Sequence, residues 1–186
     1  MDNGAEYYRK YLDGDDNGLT ELIREYKDGM ILYINSILKN IHTAEDITED
    51  VFVKLAIKKP KFLGKSKFKT WLYTIARNLS LDYLRKSAKL SDKPIDEYVD
   101  ILSEQEDFEK AYLRKENKIT VHSAMKNLTA DYQQVLYLIY FEEFSNGEAA
   151  AIMKKSKHQL ENLLYRAKKS LKTQLEKEGF IYEELY

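Results

Sequence analysis

Apolar residues recur along much of this chain at the three- and four-residue spacing of amphipathic helices. A short helix is predicted over residues 5–12, and a longer one runs from Leu19 to Leu38. Thr43 is the predicted N-cap of the helix that follows. The 186 residues include only two Pro and seven Gly, and Leu, Ile, Lys and Glu are abundant. Pattern and composition together predict an all-α protein.

The helix predicted over residues 67–86 carries two stripes. One is apolar and faces a core, and its members are Phe68, Leu72, Ile75 and Leu79. The second combines cations, an aromatic ring and an amide, in Lys67, Trp71, Thr74, Asn78 and Arg85. Cations contact phosphates, rings stack on bases and amides bond base edges, so the second stripe suits a nucleic-acid strand. A solvated face with Trp71 tucked into the core explains the same stripe.

The charge around this helix favours the nucleic-acid interpretation. Between Lys54 and Lys89 there are eleven Lys and Arg against one acid, Asp82, although the whole chain has a net charge of only −1. Four aromatic residues are interleaved with these cations, namely Phe62, Phe68, Trp71 and Tyr73. A basic patch with interleaved aromatics is the electrostatic footprint of a nucleic-acid site. The segment 58–67 contains Pro60 and Gly64 and is predicted to be a loop.

The N-terminal quarter of the chain is acidic, with five Lys and Arg against twelve Asp and Glu in residues 1–53. On the helix after Thr43 the apolar face is formed by Ala44, Ile47, Val51 and Leu55. Asp46, Glu49 and Asp50 lie on its opposite side. Most acidic faces are simply solvated, but this one is also a candidate docking surface for a basic partner.

The second half begins with an acidic segment and ends in a basic one. Residues 90–116 carry nine acids against four cations, which predicts an interdomain linker. The predicted division is a helical domain over 1–90, a linker over 91–116 and a second domain over 117–180. Helices are predicted over 117–126 and 130–142, the latter with an apolar stripe formed by Val135, Leu136, Ile139 and Tyr140.

Two capping boxes stand eleven residues apart in the second domain, Ser145-x-x-Glu148 and Ser156-x-x-Gln159. Two short helices joined by a tight turn make a helix-turn-helix. Its second helix turns Leu160, Leu164, Ala167 and Leu171 to the core, and residues 154–172 hold seven cations against one acid. This charge is typical of a recognition helix near a phosphate backbone.

Several classes of protein are disfavoured by what the sequence lacks. There is no Cys, so neither a disulfide nor a thiol metal site is expected, and a reducing, cytoplasmic location is predicted. His42, His122 and His158 stand apart, and no Gly-rich phosphate loop or nucleophile is visible. No apolar run approaches the roughly 20 residues of a membrane span, and no signal peptide opens the chain. We expect no cofactor, no metal, no membrane insertion and no enzymatic activity.

Two basic helical modules on an acidic tether resemble a bacterial RNA polymerase sigma factor of the small, extracytoplasmic-function type. AEDITEDVFVKL (44–55) resembles region 2.2 of that family, and FKTWLYTIARNLSLDYLRK (68–86) resembles regions 2.3 and 2.4. Residues 140–171 resemble the region 4 helix-turn-helix. The resemblance implies a transcription initiation factor whose partners are core RNA polymerase, promoter DNA and an anti-sigma inhibitor protein.

The resemblance also implies residue roles. Core polymerase would be contacted by Asp46, Glu49, Asp50 and Phe52. The loop 62–67 would capture a base flipped out of the minus-ten element, and the minus-ten contacts would be Phe62, Lys65, Lys67, Trp71, Asn78 and Arg85. The minus-thirty-five element would be read by Lys157, His158, Glu161, Asn162, Tyr165, Arg166, Lys168 and Lys169.

The chain departs from the family pattern in the helix-turn-helix. Met153–Ser156 lacks the usual turn glycine, Ala149 stands where Ile is usual, Glu161 replaces a usual cation and Leu163 a usual Arg. Two alternatives stay open: a DNA-binding regulator that acts without polymerase, and, given the altered turn, a degenerate interaction module that does not transcribe. The acidic helix 44–55 discriminates the first, because a stand-alone regulator has no use for it.

Overall fold

The computed structural model describes residues 3–90, 121 and 124–177, and the ordered elements within these ranges are helices. The N-terminal part contains α1 (Asn3–Leu12), α2 (Asn17–Leu38), α3 (Ile41–Lys58) and α4 (Phe68–Leu90). The C-terminal part contains α5 (Ala130–Leu136), a π-helical turn (Tyr137–Phe141), α6 (Asn146–Met153) and α7 (Lys157–Lys177). The all-α prediction is confirmed. The predicted linker, 91–116, lies outside the described residues.

The centre of the N-terminal part is α2, which packs against α1, α3 and α4 and also touches α5. Its second half, from Met30 to Leu38, is buried on every side, and Leu22, Met30, Ile31 and Ile34 are fully buried. The core continues through Val51 and Leu55 of α3 and Phe68 and Leu72 of α4. None of the helices in the described ranges is long and apolar enough to cross a membrane.

The start of α3 corrects one predicted cap. Asn40, in an extended backbone conformation, is the N-cap, and its Oδ1 accepts a hydrogen bond from the Thr43 backbone N–H at 3.0 Å. Thr43 therefore lies inside the first turn, and its prediction as the cap was wrong. Asn40 and Thr43 are both good capping residues, and the helix begins directly after Asn40, at Ile41.

Both predicted capping boxes are confirmed. Ser145 Oγ accepts from the Glu148 backbone N–H at 3.3 Å, and the Glu148 carboxylate accepts from the Ser145 backbone N–H at 2.9 Å. The Ser156 and Gln159 pair makes the same two bonds at 3.1 and 2.8 Å. The turn between α6 and α7 forms without glycine, because Lys154 adopts the left-handed conformation with φ 54°. Such a conformation is unfavourable for a lysine by roughly 1–2 kcal/mol.

The helix predicted over 130–142 changes character at Tyr137, where the α-helix gives way to the π turn. A π turn holds one more residue than an α turn, so the positions after it rotate relative to those before it. Tyr137 and Leu138 are consequently buried, while Tyr140 is 50% exposed. The predicted stripe is right at Val135 and Leu136 and wrong at Tyr140. The same turn brings Glu142 against α4.

Candidate nucleic-acid interface

The second stripe of α4 forms one surface with the preceding loop. Trp71 and Asn78 are half-buried on this surface, while Lys67 and Arg85 are exposed. The Trp71 ring lies 5.3 Å from the rings of both Phe62 and Phe68 and 5.6 Å from that of Tyr8. Trp71 therefore partly fits both interpretations. Its ring packs on core aromatics, and it also reaches the surface, where it could stack on a base.

The loop that precedes α4 is anchored at its base and exposed at its tip. Phe62 packs against Phe68 and Trp71, with ring centroids 5.4 and 5.3 Å apart. Beyond it Leu63 is 61% exposed, Gly64 takes a positive φ of 68°, and Lys65 is exposed. Leu63 was missed from the sequence, although an apolar residue between Phe62 and a turn glycine is a usable signal. The tip therefore offers an apolar side chain flanked by cations.

The acidic side of α3 is exposed as predicted, at Asp46, Glu49 and Asp50. Two large apolar residues extend the same side toward the C-terminal end of the helix, because Val53 is 50% and Ile57 71% exposed. We call these five residues the α3 face. Sequence reasoning missed Val53 and Ile57, although Glu49, Val53 and Ile57 follow one another at the four-residue spacing of a helix stripe.

Phe52 does not belong to the α3 face. Its side chain is only 6% exposed and forms part of the hydrophobic core with Val51 and Leu55. The motif placed Phe52 among the polymerase contacts, and in this structure it supports the helix from inside. The correction follows from helix geometry, because Phe52 stands one turn from both Thr48 and Leu55, which are fully buried.

The second helix of the helix-turn-helix, α7, presents the predicted outer surface. Leu160 and Ala167 are fully buried, and the eight predicted DNA-contacting residues are all exposed, namely Lys157, His158, Glu161, Asn162, Tyr165, Arg166, Lys168 and Lys169. The Glu161 carboxylate lies 3.9 Å from Lys157 Nζ, and Asn162 Nδ2 lies 3.1 Å from His158 Nε2. The exposed ring of Tyr165 stands among these polar groups.

A shallow cavity of about 280 Å³ adjoins α7, lined by Lys154, Lys155, Gln159, Leu163 and Arg166. Lys154 and Lys155 come from the turn, where the sequence placed them, and bring two cations that were not among the predicted DNA contacts. Lys155 Nζ also pairs with Asp131 at 3.3 Å, which ties the turn to α5. The cations at this edge of α7 have the charge that a phosphate backbone requires.

The two parts of the structure pack against each other along α4, and we call the contact of α4 with residues 134–148 the seam. Glu142 is its centre, because its carboxylate accepts a hydrogen bond from Tyr73 Oη at 2.6 Å and pairs with Lys69 Nζ at 2.9 Å. Phe144 packs edge-on to Tyr73, with centroids 5.1 Å apart. At the end of the seam, Lys67 Nζ pairs with Glu148 at 3.0 Å.

The seam corrects the predicted placement of Tyr73 and changes the pKa values of Tyr73 and Glu148. The sequence grouped Tyr73 with the aromatics of the basic patch, but it is fully buried. Burial and the adjacent Glu142 carboxylate raise the pKa of Tyr73 well above its usual value. Burial alone would raise the pKa of Glu148, yet the hydrogen bonds from Ser145 and the pairing with Lys67 outweigh it and hold that pKa below its usual value.

Comparison with known proteins gives two family matches and several relatives. The model of Sigma-70 region 2 matches residues 22–90, and that of Sigma-70, region 4, matches residues 118–171. The chain is 29% identical over 162 residues to RNA polymerase sigma factor YlaC of Bacillus subtilis, covering 87% of this chain and 94% of that protein. It is 28% identical over 172 residues to the ECF RNA polymerase sigma factor SigW of Bacillus subtilis, covering 87% and 91%.

One solved structure with a similar fold is the sigma factor RpoE of Bartonella quintana, crystallised in complex with the anti-sigma factor NepR. The TM-score is 0.66 at 25% sequence identity, and the alignment covers 84% of this chain and 96% of that one. The helical architecture on both sides of the acidic segment is thus shared with this solved protein.

Proposed function

The chain belongs to the extracytoplasmic-function type of RNA polymerase sigma factor, and we propose that three of its surfaces divide the work of promoter recognition. As a sigma factor it directs core RNA polymerase to promoters in transcription initiation. The paired region 2 and region 4 matches carry this conclusion, and they disfavour a regulator that acts without polymerase. Sigma factors carry no catalytic chemistry of their own, so we propose that the chain acts by binding alone.

The α3 face is the proposed docking surface for core polymerase. It combines three carboxylates with the exposed side chains of Val53 and Ile57. Charges of this kind steer association with a basic partner, while exposed aliphatic side chains contribute the area that is buried on contact. Phe52 supports this surface from the core.

The surface formed by α4 and its loop is the proposed site for the minus-ten element. Lys65, Lys67 and Arg85 would hold phosphates, and Trp71 and Asn78 would face the opened strand. The loop 62–67 would capture the flipped base beside Leu63 and Gly64. Lys67 is also held by Glu148 across the seam, so its contact with a phosphate requires that this ion pair be released.

The outer side of α7 is the proposed reader of the minus-thirty-five element. The cations at 157, 166, 168 and 169 would hold the phosphate backbone. We propose that Glu161 accepts a hydrogen bond from a cytosine amino group, since a carboxylate beside a phosphate would only be repelled. In a test of this role, Glu161→Lys should lose discrimination at one base pair, by roughly 1–3 kcal/mol, while nonspecific binding rises. Tighter binding to every sequence with no change in preference would assign Glu161 to the backbone.

We also propose a cytoplasmic location and an anti-sigma protein as inhibitor. The support for the inhibitor is that the Bartonella quintana sigma factor was solved with such a protein. The test is capture of a binding partner by the full chain, followed by loss of transcription when that partner is added back to the purified factor.

Run-off transcription with core polymerase on a library of random promoters tests the function itself. The wild-type chain should select promoters that share two elements, and the alternative of a regulator that acts without polymerase predicts DNA binding without any transcript.

A separate test addresses the α3 face. Asp46→Lys combined with Asp50→Lys should weaken polymerase binding with little change in folding, because exposed charges contribute little to stability. Glu25→Lys combined with Asp28→Lys, two exposed acids on α2, is the matched control. Equal effects of the two pairs would remove the α3 face from the docking surface.

A further inference from the structure

The first helix, α1, touches the loop of the proposed minus-ten site through two tyrosine hydroxyls. Tyr8 Oη donates a hydrogen bond to the Pro60 carbonyl at 2.8 Å, and Tyr11 Oη donates to the Ala56 carbonyl at 3.0 Å. The match to region 2 begins at residue 22, so α1 lies outside it. The helix carries none of the proposed promoter contacts.

The two accepting carbonyls sit where the chain leaves α3. Ala56 is among the last four residues of α3, whose carbonyls have no partner within the helix. Lys59 follows in the left-handed conformation with φ 43°, and its Nζ lies 4.8 Å from the centre of the Tyr11 ring. A lysine does not favour this backbone conformation, so the exit path of the chain depends on its surroundings.

The Tyr8 ring ties the same loop to α4. It is 1% exposed and lies 5.5 Å from the Phe68 ring and 5.6 Å from the Trp71 ring, the two rings that Phe62 also contacts. Burial and the neighbouring Tyr11 raise the pKa of Tyr8 to about 12, so its hydroxyl remains a donor at every physiological pH. The base of the loop is thus fixed at the Pro60 carbonyl and the Phe62 ring, while its tip from Leu63 onward is exposed.

We infer that α1 is a positioning element for the loop, with Tyr8 and Tyr11 holding residues 56–62 so that the tip is shaped to receive an unstacked base of the minus-ten strand. The hydroxyls do not touch DNA; they act through the backbone at Ala56 and Pro60. A site held this way binds its ligand with less ordering at the moment of contact, which is the advantage of preorganisation. The inference rests on the proposed role of the loop in base capture.

The test combines protein variants that lack one tyrosine hydroxyl with DNA strands that lack one base. Holoenzyme is assembled from core polymerase and the full chain, and its affinity is measured for single-stranded minus-ten oligonucleotides from a promoter selected out of the random library. An abasic site is placed at each position in turn. Wild type should show one position where base removal costs far more than elsewhere. Tyr8→Phe keeps the ring and removes only the hydroxyl.

Tyr8→Phe and Tyr11→Phe should each bind the intact strand about 2- to 10-fold more weakly, the range that one neutral hydrogen bond contributes. Neither should change affinity for the strand that already lacks the captured base. Tyr7→Phe is the matched control on the same helix, since Tyr7 bonds neither carbonyl. Equal weakening on all strands, or weakening by Tyr7→Phe as well, would overturn the positioning role.

A second readout uses the single tryptophan of the chain. Because the Trp71 ring packs on Tyr8 and Phe62, loosening of the loop should increase acrylamide quenching of its fluorescence in Tyr8→Phe but not in Tyr7→Phe. Unchanged quenching with unchanged strand affinity would overturn the inference. If wild type shows no position where base removal is especially costly, the proposed base-capture role fails. If wild type shows such a position and base removal there costs the tyrosine variants just as much, only the positioning role of α1 fails.

Discussion

The two sides of α4 hold the molecule together by different physics. On the side of α1 and α2, Phe68 and Leu72 are fully buried among rings and aliphatic side chains. On the side of the seam, Lys69 and Tyr73 meet Glu142, and Arg77 Nε lies 3.4 Å from Gln134 Oε1. Apolar burial is insensitive to the charge state of the protein, whereas ion pairs and hydrogen bonds can be exchanged for other partners. We therefore predict that α4 stays packed in the N-terminal core when its polar contacts with the C-terminal part are exchanged for other partners.

A buried hydroxyl beside the seam also favours opening of the seam. Tyr33 lies next to Tyr73, with ring centroids 5.4 Å apart, and its buried Oη has no hydrogen-bond partner among the described residues. An unsatisfied buried hydroxyl is unfavourable by roughly 1–3 kcal/mol. Opening of the seam would let water reach this part of α2. We therefore expect the seam to separate well before the N-terminal core unfolds.

The largest effect should come from the apolar side of α4. Phe68→Ala removes a fully buried ring that packs against Tyr8, Tyr26 and Phe62. The free energy of unfolding of the N-terminal domain should fall by roughly 3–5 kcal/mol, as in other buried aromatic truncations. Urea unfolding followed by Trp71 fluorescence measures it. A loss below about 1 kcal/mol would mean that this side of α4 is not a packed core.

A smaller and differently located effect should follow from Glu142→Gln. The change keeps the shape of the side chain but removes the charge that pairs with Lys69 and accepts from Tyr73. Because Lys69 is only partly buried, we expect the seam to weaken by about 1–2 kcal/mol with no change in N-terminal unfolding. Small-angle scattering should show a larger radius of gyration. Glu143→Gln, at the exposed neighbouring position, is the control, and an equal expansion in both variants would contradict the prediction.

Gly29→Ala should stabilise the N-terminal domain and weaken the seam. Gly29 lies inside α2, where Ala is favoured over Gly by about 1 kcal/mol. A Cβ there would overlap Glu142 Oε1 and come within 3.0 Å of Tyr73 Oη. The N-terminal domain should therefore gain stability while the seam loosens. In Gly147→Ala, where an added Cβ meets nothing, only local helix stability should change; a compact Gly29→Ala variant would show that Glu142 can move aside at little cost.

The smallest effect concerns acidification. Because the pKa of Glu148 in the folded protein is below its usual value of 4.5, this group stabilises the fold above pH 4.5, and the stabilisation is lost as pH falls through the lowered value. Protonation removes the charge paired with Lys67 at the seam and weakens the cap of α6. Scattering from pH 6 to pH 3 should therefore show less pH-dependent expansion in Glu148→Gln than in wild type. Identical pH profiles would remove Glu148 from the seam's pH response.

Local patterns were sufficient for the described helices apart from the π turn, for the two capping boxes and for the outer surface of α7. Each depends on residues three or four apart, such as Ser145 with Glu148 or Leu160 with Leu164. The acidic side of α3 was predicted for the same reason. The extent of the α3 face was not predicted, because only charged residues were used to mark it. The four-residue spacing of Glu49, Val53 and Ile57 is the local signal that was overlooked.

By itself, the sequence determined the helical class, the exposed basic and acidic surfaces and the family, since all of these are written in short-range periodicity and motif. Only the tertiary structure decided that Tyr73 is buried at a seam, that Glu142 sits between Lys69 and Tyr73, and that Tyr8 supports the loop through Pro60. The partners in these contacts are separated by 73 residues for Lys69 and Glu142 and by 52 for Tyr8 and Pro60. A helix pattern shows which side of a helix is polar, but a polar side is covered or exposed according to what the rest of the chain brings against it.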